Sequence, residues 1–216
     1  MVYSTVVTAA PSHSPKRHTL AEYLEFEDAA ERKHEFHDGQ ILAMSGGSPE
    51  HALITASALR AIGNRLEGKP CRVYSSDLKI GLLSTSRVYY PDGTIVCGPL
   101  EFHPDDPRRQ LATNPRVIVE VLSPTTEAYD RGEKFRDYRT LPSFAEYVLI
   151  SQVAPIVETF VRQADGSWLI AAAYTGLDAT ASIRSIQVEI KLSDIYANVT
   201  FPPPAPSPDA REREAQ

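Results

Sequence analysis

Cysteine is scarce in this chain: Cys71 and Cys97 are the only two among 216 residues. Nothing around them suggests a disulfide framework or a zinc site, and the scarcity fits a reducing, cytoplasmic setting. Long hydrophobic runs are missing too. No stretch approaches the roughly 18 consecutive apolar residues of a membrane span. The N-terminal MVYSTVVTAAPSHSPKRHTL has an apolar patch, but no basic region precedes it and Pro11 and Pro15 break the segment after it. It reads as a loose arm rather than a signal peptide. Positive charge is in deficit, with 22 Lys and Arg against 28 Asp and Glu, a formal net charge of -6. That balance argues against a broad basic face for nucleic acid. It leaves room for an enzyme that touches phosphates locally, because carboxylates that bind a metal add to the negative total while the metal restores positive charge at the site.

What is present is a 42% hydrophobic chain, long enough for one sizeable core and short for two. A single domain over 18–200 is expected, between a flexible N-terminal arm (1–17) and a disordered Pro-rich tail (201–216), FPPPAPSPDAREREAQ, which cannot bury a core. Thr19 with Glu22 three residues on is a capping-box pattern that starts a helix to Ala30. Asp38-Gly39 sits between two extended pieces as a hairpin signal. Ser48-Pro49-Glu50 opens a second helix, with Ala52, Ala56, Leu59, Gly63 and Leu66 at helical spacing, closed by Gly68 and Pro70. From Cys71 to Val96 the alternation reads as a meander of three strands, Arg72 to Ser75, Leu78 to Leu83 and Asp92 to Cys97. Pro99 to Pro115 reads as a surface loop. A strand in RVIVEVLS, a helix from Pro124 to Arg139, a strand from Phe144 to Ile150, a hairpin around Asp165-Gly166, a strand from Ser185 to Ile190 and a helical turn from Leu192 to Tyr196 complete an α/β pattern.

Glu120 is the residue that stands out. It is a lone carboxylate inside RVIVEVLS, and an ionised carboxylate taken out of water without a partner costs several kcal/mol or more. Strand alternation places Ile118, Glu120 and Leu122 on one face and Val117, Val119 and Val121 on the other. If the PDGTIVC strand is its neighbour, Asp92 approaches Glu120, and two such carboxylates repel unless a divalent cation neutralises them. Hard oxygen donors point to Mg2+ or Mn2+ rather than zinc, with the backbone carbonyl of Val121 as a further ligand. On the following helix Glu127, Asp130, Lys134 and Tyr138 share a face. Lys134 can swing back over Glu120 to position a water or neutralise charge on a phosphorane. The plain alternative is a structural Glu120–Lys134 or Asp130–Lys134 ion pair.

HEFHDGQILAMSGGSPEH, CRVYSSDLKI, YPDGTIVC, VIVEVLSPTTEAYDRGEKFRDYR and FAEYVLI together resemble the Uma2-type restriction endonucleases, a branch of the PD-(D/E)xK nuclease superfamily. The resemblance runs from about Leu20 to Leu192, and its most specific part is EVLSPTT with the D-x-x-x-K after it. It implies a restriction-endonuclease-like fold, a central mixed β-sheet flanked by α-helices. It also implies Mg-dependent hydrolysis of phosphodiester bonds in DNA, with Asp92 and Glu120 as the motif acids. The lysine expected two residues after Glu120 is Leu122, so Lys134 would be its displaced replacement. Glu35 would be an accessory metal or water ligand. Asp77 and His51 match family positions, Asp77 otherwise pairing with Lys79 or Arg72, and His51 serving as a structural hydrogen-bonder. A homodimer is expected because two strands must be cut. The competing reading is a catalytically inactive nuclease fold serving as a nucleic-acid or protein binding module.

Overall fold

Thr19 and Glu22 cap each other at the start of the first helix. The Glu22 N–H donates to the Thr19 hydroxyl at 3.2 Å and the Thr19 N–H donates to the Glu22 carboxylate at 2.8 Å, satisfying two donors that a helix N-terminus leaves open. The computed structural model describes residues 16–201. Most of the expected N-terminal arm, and the Pro-rich tail apart from Phe201, lie outside the described residues. Helix α1 is Leu20–Ala29. Strands β1 (His34–His37) and β2 (Gln40–Ala43) form the expected hairpin, with Asp38 and Gly39 both at positive φ, 48° and 92°, the turn whose twist matches that of the strands. Ser48 caps α2 (Pro49–Arg65). The buried stripe of α2 runs through Ile54, Ala58, Ile62 and then Leu66, not through Ala52 and Ala56. Two isoleucines remove more apolar surface from water than two alanines do.

The expected three-strand meander does not form. Strands β3 (Cys71–Ser75) and β6 (Gly93–Cys97) pair antiparallel in one sheet, while β4 (Lys79–Gly81) and β5 (Arg87–Tyr89) leave it and pair in another. The β4–β5 hairpin turns Ile80, Leu82 and Tyr89 into a second core cluster, a long-range gain that local alternation does not encode. Cys71 and Cys97 are direct partners in the β3–β6 ladder and are joined in a disulfide, contrary to the sequence expectation. Their juxtaposition depends on a pairing across 26 residues, and the step from scarce cysteine to a reducing compartment loses its basis. The segment read as a loop holds β7 (Leu111–Ala112), parallel to β4 and fully buried. Asp106 shapes the approach, accepting from the N–H groups of Arg108, Gln110 and Leu111.

Strand β8 (Val117–Leu122) is buried at every residue. The helical segment after it is α3 (Glu127–Tyr129), a π-helical turn (Asp130–Lys134) and α4 (Phe135–Tyr138). Then come β9 (Glu146–Ser151), β10 (Ile156–Arg162), β11 (Trp168–Thr175), β12 (Thr180–Ile183), β13 (Val188–Lys191) and α5 (Leu192–Ile195). The expected strand from Ser185 begins later because Arg184–Ile186 is a 3-10 turn and Gln187 is left-handed at φ 53°. Six strands form the mixed central sheet in the order β11-β10-β9-β8-β6-β3, with β8 and β9 parallel and the other pairs antiparallel. Five others form a second sheet, β2-β1-β5-β4-β7, and β12-β13 is a separate pair. Val117, Val119 and Val121 pack with the α2 and α5 side of the core, whereas Ile118 and Leu122 pack with Tyr138, Phe144 and Tyr147. No helix among the described residues is long and apolar enough to cross a membrane.

Because Leu111 is fully buried, Leu111→Ala is expected to destabilise the protein by about 2–5 kcal/mol in urea denaturation. A loss within about 0.5 kcal/mol, the usual result at an exposed loop position, would contradict its place in the core.

Candidate functional site

β6 pairs with β8 only as far as Gly93 opposite Val119, so Asp92, one residue before, comes to lie beside Glu120. The Asp92 N–H donates to Glu120 Oε2 at 3.2 Å, and the Val121 N–H donates to Asp92 Oδ2 at 2.8 Å. Gly93 makes this approach possible. A Cβ on it would lie 2.3 Å from Leu59 Cδ2, so glycine lets the Leu59 side chain of α2 sit against the strand end beside Asp92 without shifting. Glu120 itself is 2% exposed.

Lys134 reaches back over β8 from the helical segment. Its Nζ is 3.3 Å from Glu120 Oε1, 3.4 Å from Glu35 Oε1 and 3.4 Å from Asp130 Oδ1. The Tyr138 hydroxyl donates to Glu120 Oε1 at 3.0 Å, so this buried aromatic does more than fill the core. Glu127 does not join the face expected of it. It pairs with Arg131 one turn on at 2.8 Å, an i,i+4 ion pair on the helix surface.

Glu35 arrives from β1 in the second sheet. Its Oε2 is 3.1 Å from His37 Nε2 and accepts from the Tyr129 hydroxyl at 3.2 Å, whereas its buried Oε1 receives no hydrogen bond and faces Lys134. The sequence expectation includes neither His37 nor Tyr129. The E-x-H spacing on a strand, which puts both side chains on one face, is the available signal for His37; nothing local marks Tyr129. His51 Nε2 lies 3.1 Å from Asp92 Oδ2. Asp77 is apart from this cluster: its side chain is 81% exposed and pairs with Lys33 at 2.6 Å, not with Lys79 or Arg72. Arg87 on β5 ties the second sheet to the helical segment through Glu133 at 2.6 Å and Asp137 at 2.5 Å.

Burial pushes the Glu120 carboxyl well above the ordinary range, with Lys134 opposing it, and burial likewise raises Asp130. Burial alone would lower the Lys134 ammonium, but Glu120, Glu35 and Asp130 outweigh it and hold the group above its usual value. For Glu35 burial acts upward, yet His37 and Lys134 together leave it lowered. The bond to Asp92 raises the His51 imidazole. Three carboxylates thus surround one lysine, and the buried Glu35 Oε1 among them receives no hydrogen bond. Among the described residues no group of three or more His, Cys, Asp or Glu side chains is placed to hold a metal ion. Magnesium does not need one, because it binds through one or two carboxylates and keeps several waters. The Asp92 and Glu120 oxygens, with the Val121 backbone at the same strand edge, fit such an ion by donor chemistry.

The fold has a counterpart among solved structures. The restriction-endonuclease-like architecture matches a crystal structure from Anabaena variabilis ATCC 29413, described as "a putative nuclease belonging to DUF820", with a TM-score of 0.63 over 82% of this chain and 97% of that one, at 16% identity. The family model Uma2, described as "Putative restriction endonuclease", matches residues 20–193, and this chain belongs to that family. Two relatives from Synechocystis sp. (strain ATCC 27184 / PCC 6803 / Kazusa) are similar along much of their length. "Uncharacterized protein slr1290" is 36% identical over 196 residues, 91% of this chain and 100% of that protein. "Uncharacterized protein sll1609" is 32% identical over 152 residues, 70% of this chain and 85% of that protein.

Removing the one ammonium from this cluster has a signed consequence. Lys134→Met leaves Glu120, Glu35 and Asp130 without it, an expected loss of about 3–5 kcal/mol. Glu120 and Asp130 then rise further, so the folded protein keeps protons that the unfolded chain releases. The loss should therefore grow as pH rises above the ordinary carboxylate range, and urea melts at mildly acidic and mildly alkaline pH measure it. An equal loss at both would count against the buried ion cluster.

Proposed function

We propose that this protein is a magnesium-dependent endonuclease that hydrolyses phosphodiester bonds in DNA, with manganese able to replace magnesium. The observation that carries this reading is Lys134 Nζ lying 3.3 Å from Glu120 Oε1 while Asp92 adjoins the same carboxylate. Asp92, Glu120 and the Val121 carbonyl would hold the ion. When bound, a divalent ion supplies Lewis acidity toward a phosphoryl oxygen and a water of lowered pKa. Lys134, kept as an ammonium by its carboxylate neighbours, acts as a fixed positive charge and hydrogen-bond donor rather than as a base. It orients the attacking water and balances the negative charge that develops on the phosphorane. The Glu35 oxygen without a donor is an accessory acceptor for a water in the same space. The Tyr138 hydroxyl fixes the Glu120 rotamer from behind. A homodimer would present two such sites to the two strands of a duplex.

One observation favours a second reading, an inactive nuclease fold used as a binding module. Lys134 lies within 3.4 Å of three carboxylates, so the cluster resembles a structural ion network as well as a reactive one. Thermal melts with and without manganese separate the two, since an ion that binds only the folded protein raises the melting temperature further with each increase in its concentration above the dissociation constant. The expected result is such a rise in the wild type and none in Glu120→Gln. In plasmid cleavage with magnesium, Asp92→Ala and Glu120→Gln are each expected to lower the rate by about 100-fold or more while melting stays cooperative. Wild-type protein that cuts no form of DNA with either ion, and whose melt ignores manganese, would leave the module as the better account.

A further inference from the structure

His51 touches the acid pair yet has no part in the proposed chemistry. We infer that it is a positioning residue that grips the Asp92 carboxylate by one oxygen and turns the other toward the ion side, an inference that rests on the proposed metal site. Asp92 Oδ2 is held from two directions, by the Val121 N–H at 2.8 Å and by His51 Nε2 at 3.1 Å. Among the described residues no hydrogen bond reaches Oδ1. A carboxylate pinned through one oxygen cannot rotate freely about its terminal bond, so its second oxygen meets a cation without reorganisation. Partners that orient metal ligands in this way commonly account for about 10- to 100-fold in metal affinity.

The grip requires that His51 be fixed in turn, and the chain supplies this locally. His51 sits in the first turn of α2, where its N–H donates to the Ser48 hydroxyl at 3.2 Å, and the same hydroxyl accepts from Gln152 Nε2 at 3.1 Å. Its ring lies flush against Gly47. A Cβ at that position would stand 2.9 Å from His51 Nδ1 and 3.1 Å from Cγ, so Gly47 leaves the space that sets the ring's angle. The segment Gly47-Ser48-Pro49-Glu50-His51 therefore works as a bracket that carries one imidazole to one carboxylate oxygen.

Calorimetric titration of the full chain with manganese tests this without relying on turnover. His51→Ala should weaken manganese binding about tenfold or more, while metal-free melting changes little. His51→Gln, whose amide nitrogen can take the place of Nε2, should recover most of the affinity. Gly47→Ala, which displaces the ring without removing it, should weaken binding when His51 is present and have no effect in the His51→Ala background. Wild-type affinity in His51→Ala, or a Gly47→Ala effect that persists without His51, would overturn the positioning role alone, provided Asp92→Ala abolishes uptake. Wild-type protein that takes up no manganese would overturn the metal reading and this inference with it.

Discussion

The charge on Glu120 is the constraint around which the rest is arranged. A carboxylate in the middle of an otherwise apolar strand cannot be left alone in the core. The fold answers with an ammonium from the next helix, a tyrosine hydroxyl and the N–H of the neighbouring strand's Asp92. Because Lys134 is itself buried, it in turn requires more than one carboxylate, and Asp130 and Glu35 fulfil that need. Each group is tolerable only in the presence of the others. Such a cluster gives a defined electrostatic environment and also makes the removal of any single member costly.

Glu35 shows why two sheets are needed. The central sheet contributes Asp92 and Glu120, but the third acid comes from β1 in the other sheet, where His37 and Tyr129 hold it by one oxygen. The second sheet is tied to the helical segment by Arg87, which reaches from β5 to Asp137 and Glu133, with Tyr89 also donating to Asp137. The path of the chain between residues 76 and 92, out of one sheet and back into it, thus supplies the tether that keeps the Lys134 segment over β8.

Small features at the ends of elements set the finer geometry. Gly93 lets α2 close on β6 through Leu59, and Gly47 sets the angle of the His51 ring. The wider π turn carries Asp130 and Lys134 over β8 together with Tyr138. These are positions where a methyl group or one residue more or less per turn decides whether side chains meet.

Glu120, Asp92 and Lys134 could be read from the sequence because the signals for them are local: an acid in a buried strand, an acid at a strand start, and a lysine on the following helix. The caps at Thr19 and Ser48 and the hairpin at Asp38-Gly39 are equally local, since backbone groups within a few residues satisfy one another. The features beyond the reach of the sequence required partners far along the chain. The disulfide of Cys71 with Cys97 and the burial of Leu111 beside β4 arise from pairings between distant segments, and Glu35, placed in the site by resemblance alone, meets Lys134 through another such pairing. Asp77 and Glu127 illustrate the same limit in reverse, as residues of suitable chemistry that the backbone directs elsewhere. The sequence by itself determined which groups carry charge and which elements carry them. Only the tertiary structure decided which charges share a space, because that depends on loop closures and sheet pairings whose stabilisation appears once the whole core is assembled.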